Sequence, residues 1–566
     1  QLSELVWLLG NRKKFGQQGL VAVNRTQKDV SQWQYNKHWQ NLELVAIASA
    51  IAGLFHDFGK ANTLFQAKLG PQKHKDSKNY EPYRHEWVSL KLFKAFVFDK
   101  TLETWLDLVA NPSQIEITPI LERTADIAFR NNFNNNSPIT FNALDDFTKL
   151  VAWLIVSHHR LLVYPYFVKQ QPNLTAISTW IDDCDIKWNS PNFIKEQWTD
   201  EQMAMNWHFP YGLPFQSKTW QKKAREIAAI AKKSLVSLKG FVWQDDILTQ
   251  HLARLMLMKA DHYYSSQEAQ AYFQDNNYQA YANTDSDRQL KQKLDEHNVM
   301  VGHQAYHFSH ALPKFLNELP KLDYNRILER GLDNADPALS QWQNRAVLLC
   351  QKINQSSNDN GFFGINMAST GKGKTFANAR IMYALANTDI GCRFSVALGL
   401  RTLTTQTGQA LQKNLHLESD DIATLIGSKA ILKLLNANNI EQADSKLLQE
   451  QQQLLEDLER TALAMRGSES LEMDDDFDIE FDDDIEIDKN SLLKKWFEKE
   501  PKYQKLLYAP ILVSTIDYLI PATEGTRGGR QIAPMLRLLS GDLVLDEPDE
   551  FGLNDLPALA RLVNWA

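Results

Sequence analysis

Two sets of residues in this chain have the types and spacing to do chemistry. The first is scattered. His56 and Asp57 close the apolar run LELVAIASAIAGLF at 42–55 and lead into FGK. An imidazole and a carboxylate at the end of a core helix are costly to bury alone, and a divalent metal is the partner that best stabilises both. His85 stands in YRHEW, His158 and His159 follow the apolar stretch AWLIVS, and Asp261 follows RLMLMKA. The second set is contiguous. ASTGKGKT at 368–375 fits the phosphate-loop pattern [AG]xxxxGK[ST], with Ala368 in its first position. Backbone N–H groups over Ser369, Thr370, Gly371, Lys372 and Gly373 would wrap a β-phosphate, Lys374 would reach the β- and γ-phosphates, and Thr375 would ligate Mg²⁺. Downstream, DLVLDEPDEF at 542–551 ends an apolar run in carboxylates. Asp546 would hold Mg²⁺ through water, and Glu547 would orient the attacking water.

The elements that must position these groups follow from hydrophobic period. Residues 1–290 read as mostly helical, with helices expected over 42–55, 86–98, 144–158, 219–236 and 245–264. Polar loops such as NNFNNNSP at 131–138 separate them. Each candidate metal ligand ends or opens one of these helices, so a bundle could gather them at one end. Residues 291–335 read as a helical connector, in which His303, His307 and His310 form a polar helix face or align on one side. From about 336 the pattern changes to strand, loop and helix. GFFGINM at 361–367 reads as a buried strand before the phosphate loop, and RFSVALGL, APILVSTIDYLI and DLVLDEPDEF carry further strands. The segment 412–508 reads as an insertion between strands, and GTRGGR at 525–530 as a mobile loop.

Composition narrows the classes. A chain of 566 residues with 43% hydrophobic and 10% aromatic residues holds two or more sizeable cores. Cys184, Cys350 and Cys392 show no CxxC spacing, which argues against a disulfide framework or a cysteine zinc site and suits a reducing cytoplasm. The run at 42–55 reads as too short to span a bilayer, and no signal peptide is evident. The formal charge of −8 is dominated by the tract 469–488, ESLEMDDDFDIEFDDDIEID, whose twelve acidic residues, once removed, leave +4 for the rest. A mildly basic body suits a polyanionic partner, and the tract itself reads as solvated. The chain opens at Gln1 without a Met and is expected to be a processed product or a fragment.

The HDFGK motif, the later His85, the pair at His158–His159 and the AD at 260–261 resemble the HD superfamily of metal-dependent phosphohydrolases, in its two-metal nuclease branch. The resemblance implies that Asp57 bridges two metals. His56 and Asp261 would complete one site, and His85, His158 and His159 the other. Lys60 would hold the scissile phosphate or stabilise charge, or form a plain salt bridge. The family pattern also has a His before the HD helix; His38 is the N-terminal candidate, at a spacing that is short for the pattern. The second half resembles the first RecA-like domain of superfamily 2 helicases. That implies that Gln343 reads adenine, and that Arg401, Thr402, Thr405, Ser514, Thr515 and Asp517 line a nucleic-acid track. No second RecA-like domain and no QxxGRxxR-like motif follow, so the chain alone is expected to bind ATP weakly and hydrolyse it poorly.

An HD nuclease ahead of a superfamily 2 helicase domain is the arrangement of the CRISPR type I helicase-nuclease family, with DEPDEF and the acidic insertion leaning toward its type I-F branch. The fold expected is multidomain: an all-α HD bundle over 1–290, the connector, then an α/β RecA-like domain with a mainly parallel sheet over 336–566. The resemblance implies a hydrolase that cuts single-stranded DNA with two divalent transition metals (Mn, Fe, Ni or Co). It would be coupled to ATP- and Mg-dependent 3′→5′ helicase movement after recruitment by the crRNA-guided Cascade complex. It further implies a cytoplasmic location, with an adaptation integrase and phage anti-CRISPR proteins as possible partners and no membrane. Two alternatives stand beside it: an HD phosphohydrolase acting on small nucleotides with a regulatory ATP-binding domain, and a non-catalytic scaffold.

Overall fold

The computed structural model describes residues 39, 41–69, 81–125, 141–161, 198–333, 336–369, 371–386, 391–399, 401–425, 491–524, 528–548 and 556–565. His38, the acidic tract 469–488 and Thr370 lie outside them. The molecule is a helical bundle followed by an α/β unit, and the bundle is organised on α1 (Leu42–Phe55). Thirteen of the residues of α1 are buried, because the helix is apolar on every side, and its one mid-helix polar group, Ser49 Oγ, donates back to Val45 O at 2.8 Å. Each fully buried Leu, Ile or Phe of such a helix contributes about 1.5–3 kcal/mol. The run Leu42–Ala61 is, by length and composition, apolar enough to cross a membrane, against the sequence reading that it is too short; 94% of its most apolar window is buried, as in a core helix.

Around α1 pack α2 (His85–Val97), α3 (Asp146–Ser157), α4 (Lys218–Lys233), α5 (Ile247–Ser266) and α6 (Leu294–Glu318). Asp145 caps α3 by accepting from Thr148 N, and Asp246 caps α5 by accepting from Thr249 N. Phe55, Phe58, Phe93, Phe96, Phe215 and Trp220 form an aromatic cluster under the end of α1, and Trp220 Nε1 donates to Leu54 O at 2.9 Å. The tightest partner of α1 is α6, which the sequence assigns to a connector. The two helices touch backbone to backbone: a Cβ on Gly53 would lie 2.7 Å from Gly302 Cα, and a Cβ on Gly302 would lie 2.8 Å from Ala50 O. This close approach brings the first turn of α6 to the end of α1 that bears His56 and Asp57.

The α/β unit holds a four-stranded, all-parallel sheet in the order β2-β3-β1-β4, with β1 Phe394–Leu398, β2 Ile422–Leu425, β3 Ile511–Thr515 and β4 Asp542–Leu545. Strands β1 and β3 are buried throughout, which is why they read as mainly apolar runs rather than as alternating ones. Three of the strand expectations are met. The fourth is not: residues 361–367 form no strand, and Phe363 and Met367 are 75% and 89% exposed. An apolar run becomes a strand only if a ladder accepts it, and neither sheet edge, β2 or β4, pairs with this one among the described residues. Part of the expected insertion is structural, since β2 lies within 412–508 and forms a sheet edge. Gly528–Arg530, expected in a loop, open a helix (Gly528–Leu539) held by the buried Ile532, Ala533 and Leu536.

Helix α5 joins the two regions. Buried Arg254 donates to Ser157 O in the bundle and to Gln531 Oε1 in the helix Gly528–Leu539, and Lys259 lies 3.5 Å from Glu500.

Candidate metal centre and phosphate loop

Helix ends supply the cluster. His56 and Asp57 follow the last turn of α1, His158 caps the C-terminus of α3, and Asp261 lies in the last turns of α5. His85 opens α2. The HDFGK turn can pass beneath α2 because position 59 is glycine: a Cβ there would sit 2.2 Å from His85 O, and Gly59 N donates to Ser89 Oγ at 2.8 Å. To these the structure adds His297, in the first turn of α6, which the sequence reading passed over. His303, His307 and His310 of the same helix lie elsewhere. His303 meets His307 edge to face, and His310 pairs with Glu43 at 3.1 Å, so they form a polar face.

Asp57 divides the cluster. Its Oδ1 lies 3.2 Å from His85 Nε2 and 3.7 Å from His158 Nε2. Its Oδ2 lies 3.3 Å from His56 Nε2, 3.2 Å from His297 Nε2 and 2.9 Å from Lys60 Nζ. Asp261 Oδ1 stands 3.2 Å from His297 Nε2 and 3.9 Å from His56 Nε2, while His159 lies 4.0 Å from Asp261 Oδ2 and 3.1 Å from His85 Nε2. These atoms fall into overlapping groups able to hold a metal: Asp57, His85, His158 and His159; His56, His158 and Asp261; and His56, Asp57 and His297. The six residues expected as ligands are thus brought together.

The residues fit divalent ions on a physical ground. His56 Nε2, His158 Nε2, His297 Nε2 and both Asp57 carboxylate oxygens are buried and close to one another, yet none has the geometry of a hydrogen bond. Leaving so many polar atoms in contact but unsatisfied costs free energy that a bound cation would offset. Electrostatics agree. Burial alone would raise the Asp57 carboxyl, but His56, Lys60 and the facing imidazoles hold it well below the usual carboxylate range. Asp261 is likewise held well below that range, against burial, by His297 and His56. Burial pushes the imidazoles of His56 and His159 down, toward the neutral form that ligates a metal. His297 is the exception: burial lowers it, but Asp261 and Asp57 raise it above its ordinary value.

The second set is built differently. Gly371 and Gly373 take left-handed φ of 76° and 71°, which side chains resist, and Lys374 opens the helix Lys374–Leu385. Ser369, Gly371, Lys372 and Gly373 are exposed. Thr375 Oγ1 donates to Asp546 Oδ2 at 2.7 Å, so the two expected Mg²⁺ groups meet. Glu547 follows β4 at φ 53°, a strained conformation for a non-glycine residue. Gln343 is buried against the loop and donates to Gly373 O at 3.4 Å. Of the residues expected on a nucleic-acid track, Ser514 and Thr515 are buried at the carboxyl end of β3, Thr405 is half-buried and Asp517 is exposed. Arg401 and Thr402 begin the helix Arg401–Leu415 at the same edge of the sheet.

No protein-family model matches the chain. Two curated proteins do, over its full length. The CRISPR-associated nuclease/helicase Cas3 of subtype I-F/YPEST from Pectobacterium atrosepticum is 44% identical over 577 residues, and its namesake from Pseudomonas aeruginosa is 37% identical over 579. The chain accounts for 49% of each. The crystal structure of T. fusca Cas3 aligns with 93% of this chain and 46% of its own, at 14% identity and a TM-score of 0.29, a likeness too low to carry an argument. By sequence the chain is a relative of the subtype I-F/YPEST CRISPR-associated nuclease/helicases, and it spans about half their length.

Proposed function

We propose that the bundle is a metal-dependent nuclease acting on single-stranded DNA. We propose further that the α/β unit is part of an ATP-driven 3′→5′ helicase that feeds it during CRISPR interference, after recruitment by a crRNA-guided Cascade complex. The observation that carries the reading is Asp57, whose two carboxylate oxygens face separate sets of buried imidazole Nε2 atoms. Asp57 would be shared by two ions. His85, His158 and His159 would hold one of them, and His56, His297 and Asp261 the other. Two such divalent ions (Mn, Fe, Ni or Co) supply an activated water and charge stabilisation for the leaving oxygen of a phosphodiester. Lys60, held at 2.9 Å from Asp57, fixes the orientation of that carboxylate and places a cation beside an incoming phosphate. The basic body outside the acidic tract favours a polyanionic substrate. On the other side, Lys374, Thr375 and Asp546 would bind MgATP, with Glu547 orienting the attacking water.

The test is cleavage of circular single-stranded DNA by the purified chain with Mn²⁺, Ni²⁺ or Co²⁺ and no ATP, beside Asp57→Ala. The expected result is cutting by the wild type and a loss of about 10³-fold or more in the variant, equivalent to about 4 kcal/mol of barrier. If the metal-loaded wild type leaves DNA intact but hydrolyses mononucleotides, the small-nucleotide phosphohydrolase replaces this reading.

A further inference from the structure

Four imidazoles of the cluster, those of His56, His85, His158 and His297, present Nε2 to Asp57, and an acceptor at Nδ1 holds a ring in that tautomer. His56 and His158 follow the C-termini of their helices, where backbone carbonyls are left unused. Their Nδ1 atoms take such carbonyls, Gly53 O at 2.8 Å and Ile155 O at 2.7 Å. His85 and His297 lie at helix N-termini, where the free backbone groups are N–H donors and no carbonyl is available. A side chain must supply the acceptor. For His85 it is Glu86, with Oε2 3.4 Å from Nδ1. For His297 it is the amide of Gln292, with Oε1 3.0 Å from Nδ1.

The Gln292 amide has one possible orientation. Its Nε2 donates to Tyr264 O and Gln267 O, both at 2.8 Å, and carbonyls can only accept. Oε1 therefore faces the opposite side, where it accepts from Asn283 Nδ2 at 2.9 Å and meets His297. Asn283 is fixed in turn, since its Oδ1 accepts from Gln292 N at 3.1 Å. An oxygen set in this way forces His297 Nδ1 to carry a proton, and Nε2 is left to point its lone pair at the site between Asp57 and Asp261. We propose that Gln292 is the positioning residue that fixes the tautomer and ring orientation of His297, so that His297 can ligate a divalent cation. The proposal rests on the metal-centre reading above. Gln292 is fully buried and its side-chain hydrogen bonds go to Tyr264, Gln267, Asn283 and His297, none to Asp57 or Asp261, so it reaches the site through His297.

Two variants separate positioning from packing. Gln292→Met keeps the volume and removes the acceptor; Gln292→Glu keeps an acceptor toward His297 and loses both donor bonds to Tyr264 and Gln267. Mn²⁺ or Zn²⁺ alone is titrated into each folded protein by calorimetry, with thermal unfolding measured in parallel. Losing such an outer partner costs about 10–100-fold in metal affinity. The expected result is a loss of that size at one of the sites in Gln292→Met. Gln292→Glu should stay within about threefold of wild type although its unfolding temperature falls. If Gln292→Met binds as wild type does, or if Gln292→Glu loses as much affinity as Gln292→Met, the role is structural and the proposal fails. A measurement on the wild type needs no variant to fold: with ¹⁵N-labelled histidine and Zn²⁺ bound, His297 should show a protonated Nδ1 and a metal-bound Nε2. The opposite assignment overturns the proposal, whereas a wild type that takes up no metal overturns the metal centre itself.

Discussion

The His/Asp cluster and the phosphate loop are both assembled at the ends of secondary-structure elements, but they stand at opposite extremes of preparation. The cluster draws on residues from 56 to 297, and its helices bury nearly every ligand. Several of its polar atoms, the Nε2 atoms of His56, His158 and His297 among them, are held facing one another without hydrogen bonds, so the folded bundle carries a desolvation cost before any ligand arrives. The phosphate loop is one short segment with its glycines exposed. The apolar residues before it, Phe363 and Met367 among them, lie on the surface rather than in the sheet. Tight binding is therefore expected of the cluster, where the fold has already ordered the groups. In the loop the ligand must supply the ordering.

The comparison can be broken most sharply at His297. If the cluster is pre-organised as a unit, His297→Ala should weaken Mn²⁺ binding by more than the about 10–100-fold that losing an outer partner costs, while nucleotide binding stays unchanged. Isothermal titration with each ligand decides it, and equal losses for both would show that the two regions are not independent.

The junction offers a smaller effect with a defined sign. Burial holds the Lys259 ammonium down to about 8, with the facing Glu500 offsetting only part of the shift. The unfolded chain, at 10.5, binds more protons than the folded one between those values, so stability should rise as pH climbs from about 8 to 10.5. The rise should be on the order of 3 kcal/mol and should vanish in Lys259→Met. Urea unfolding across that pH range measures it, and equal pH profiles for the two proteins would contradict it.

Next comes the packing that delivers His297. Gly302→Ala would force a Cβ to within 2.8 Å of Ala50 O, which the helices can relieve only by separating. The expected cost is about 1–3 kcal/mol of stability. Weaker Mn²⁺ binding should accompany it, and unaltered binding in a destabilised protein would mean that α6 does not set the site. The smallest effect is a null one. Lys374→Ala should abolish whatever nucleotide binding the chain shows and leave ATP-free DNA cleavage within about twofold of wild type.

Most of the cluster was legible because each ligand interrupts an apolar helix at its end, a pattern that survives without knowing the fold. His297 obeys the same rule, opening the buried run NVMV, but in sequence it stands beside three other histidines of the same helix and nothing local distinguishes it from them. Gln292 could not be read at all, since its meaning depends on carbonyls of Tyr264 and Gln267 that only the fold brings near. The phosphate loop is legible from its glycines and Lys374. The strand expected before it is not, because composition records an apolar run but not whether a sheet edge will accept it. Strand β2 escaped notice for the converse reason: four residues inside a polar segment carry too little pattern.

The central claim is that the buried imidazoles and carboxylates form a two-metal centre divided by Asp57. Crystals of the chain soaked in Mn²⁺ and measured at the manganese edge test it directly. The account requires two anomalous peaks about 3.5–4 Å apart. One should be bounded by Asp57, His85, His158 and His159, the other by Asp57, His56, His297 and Asp261. No peak in the cluster, or a single peak that Asp57 does not touch, would contradict it.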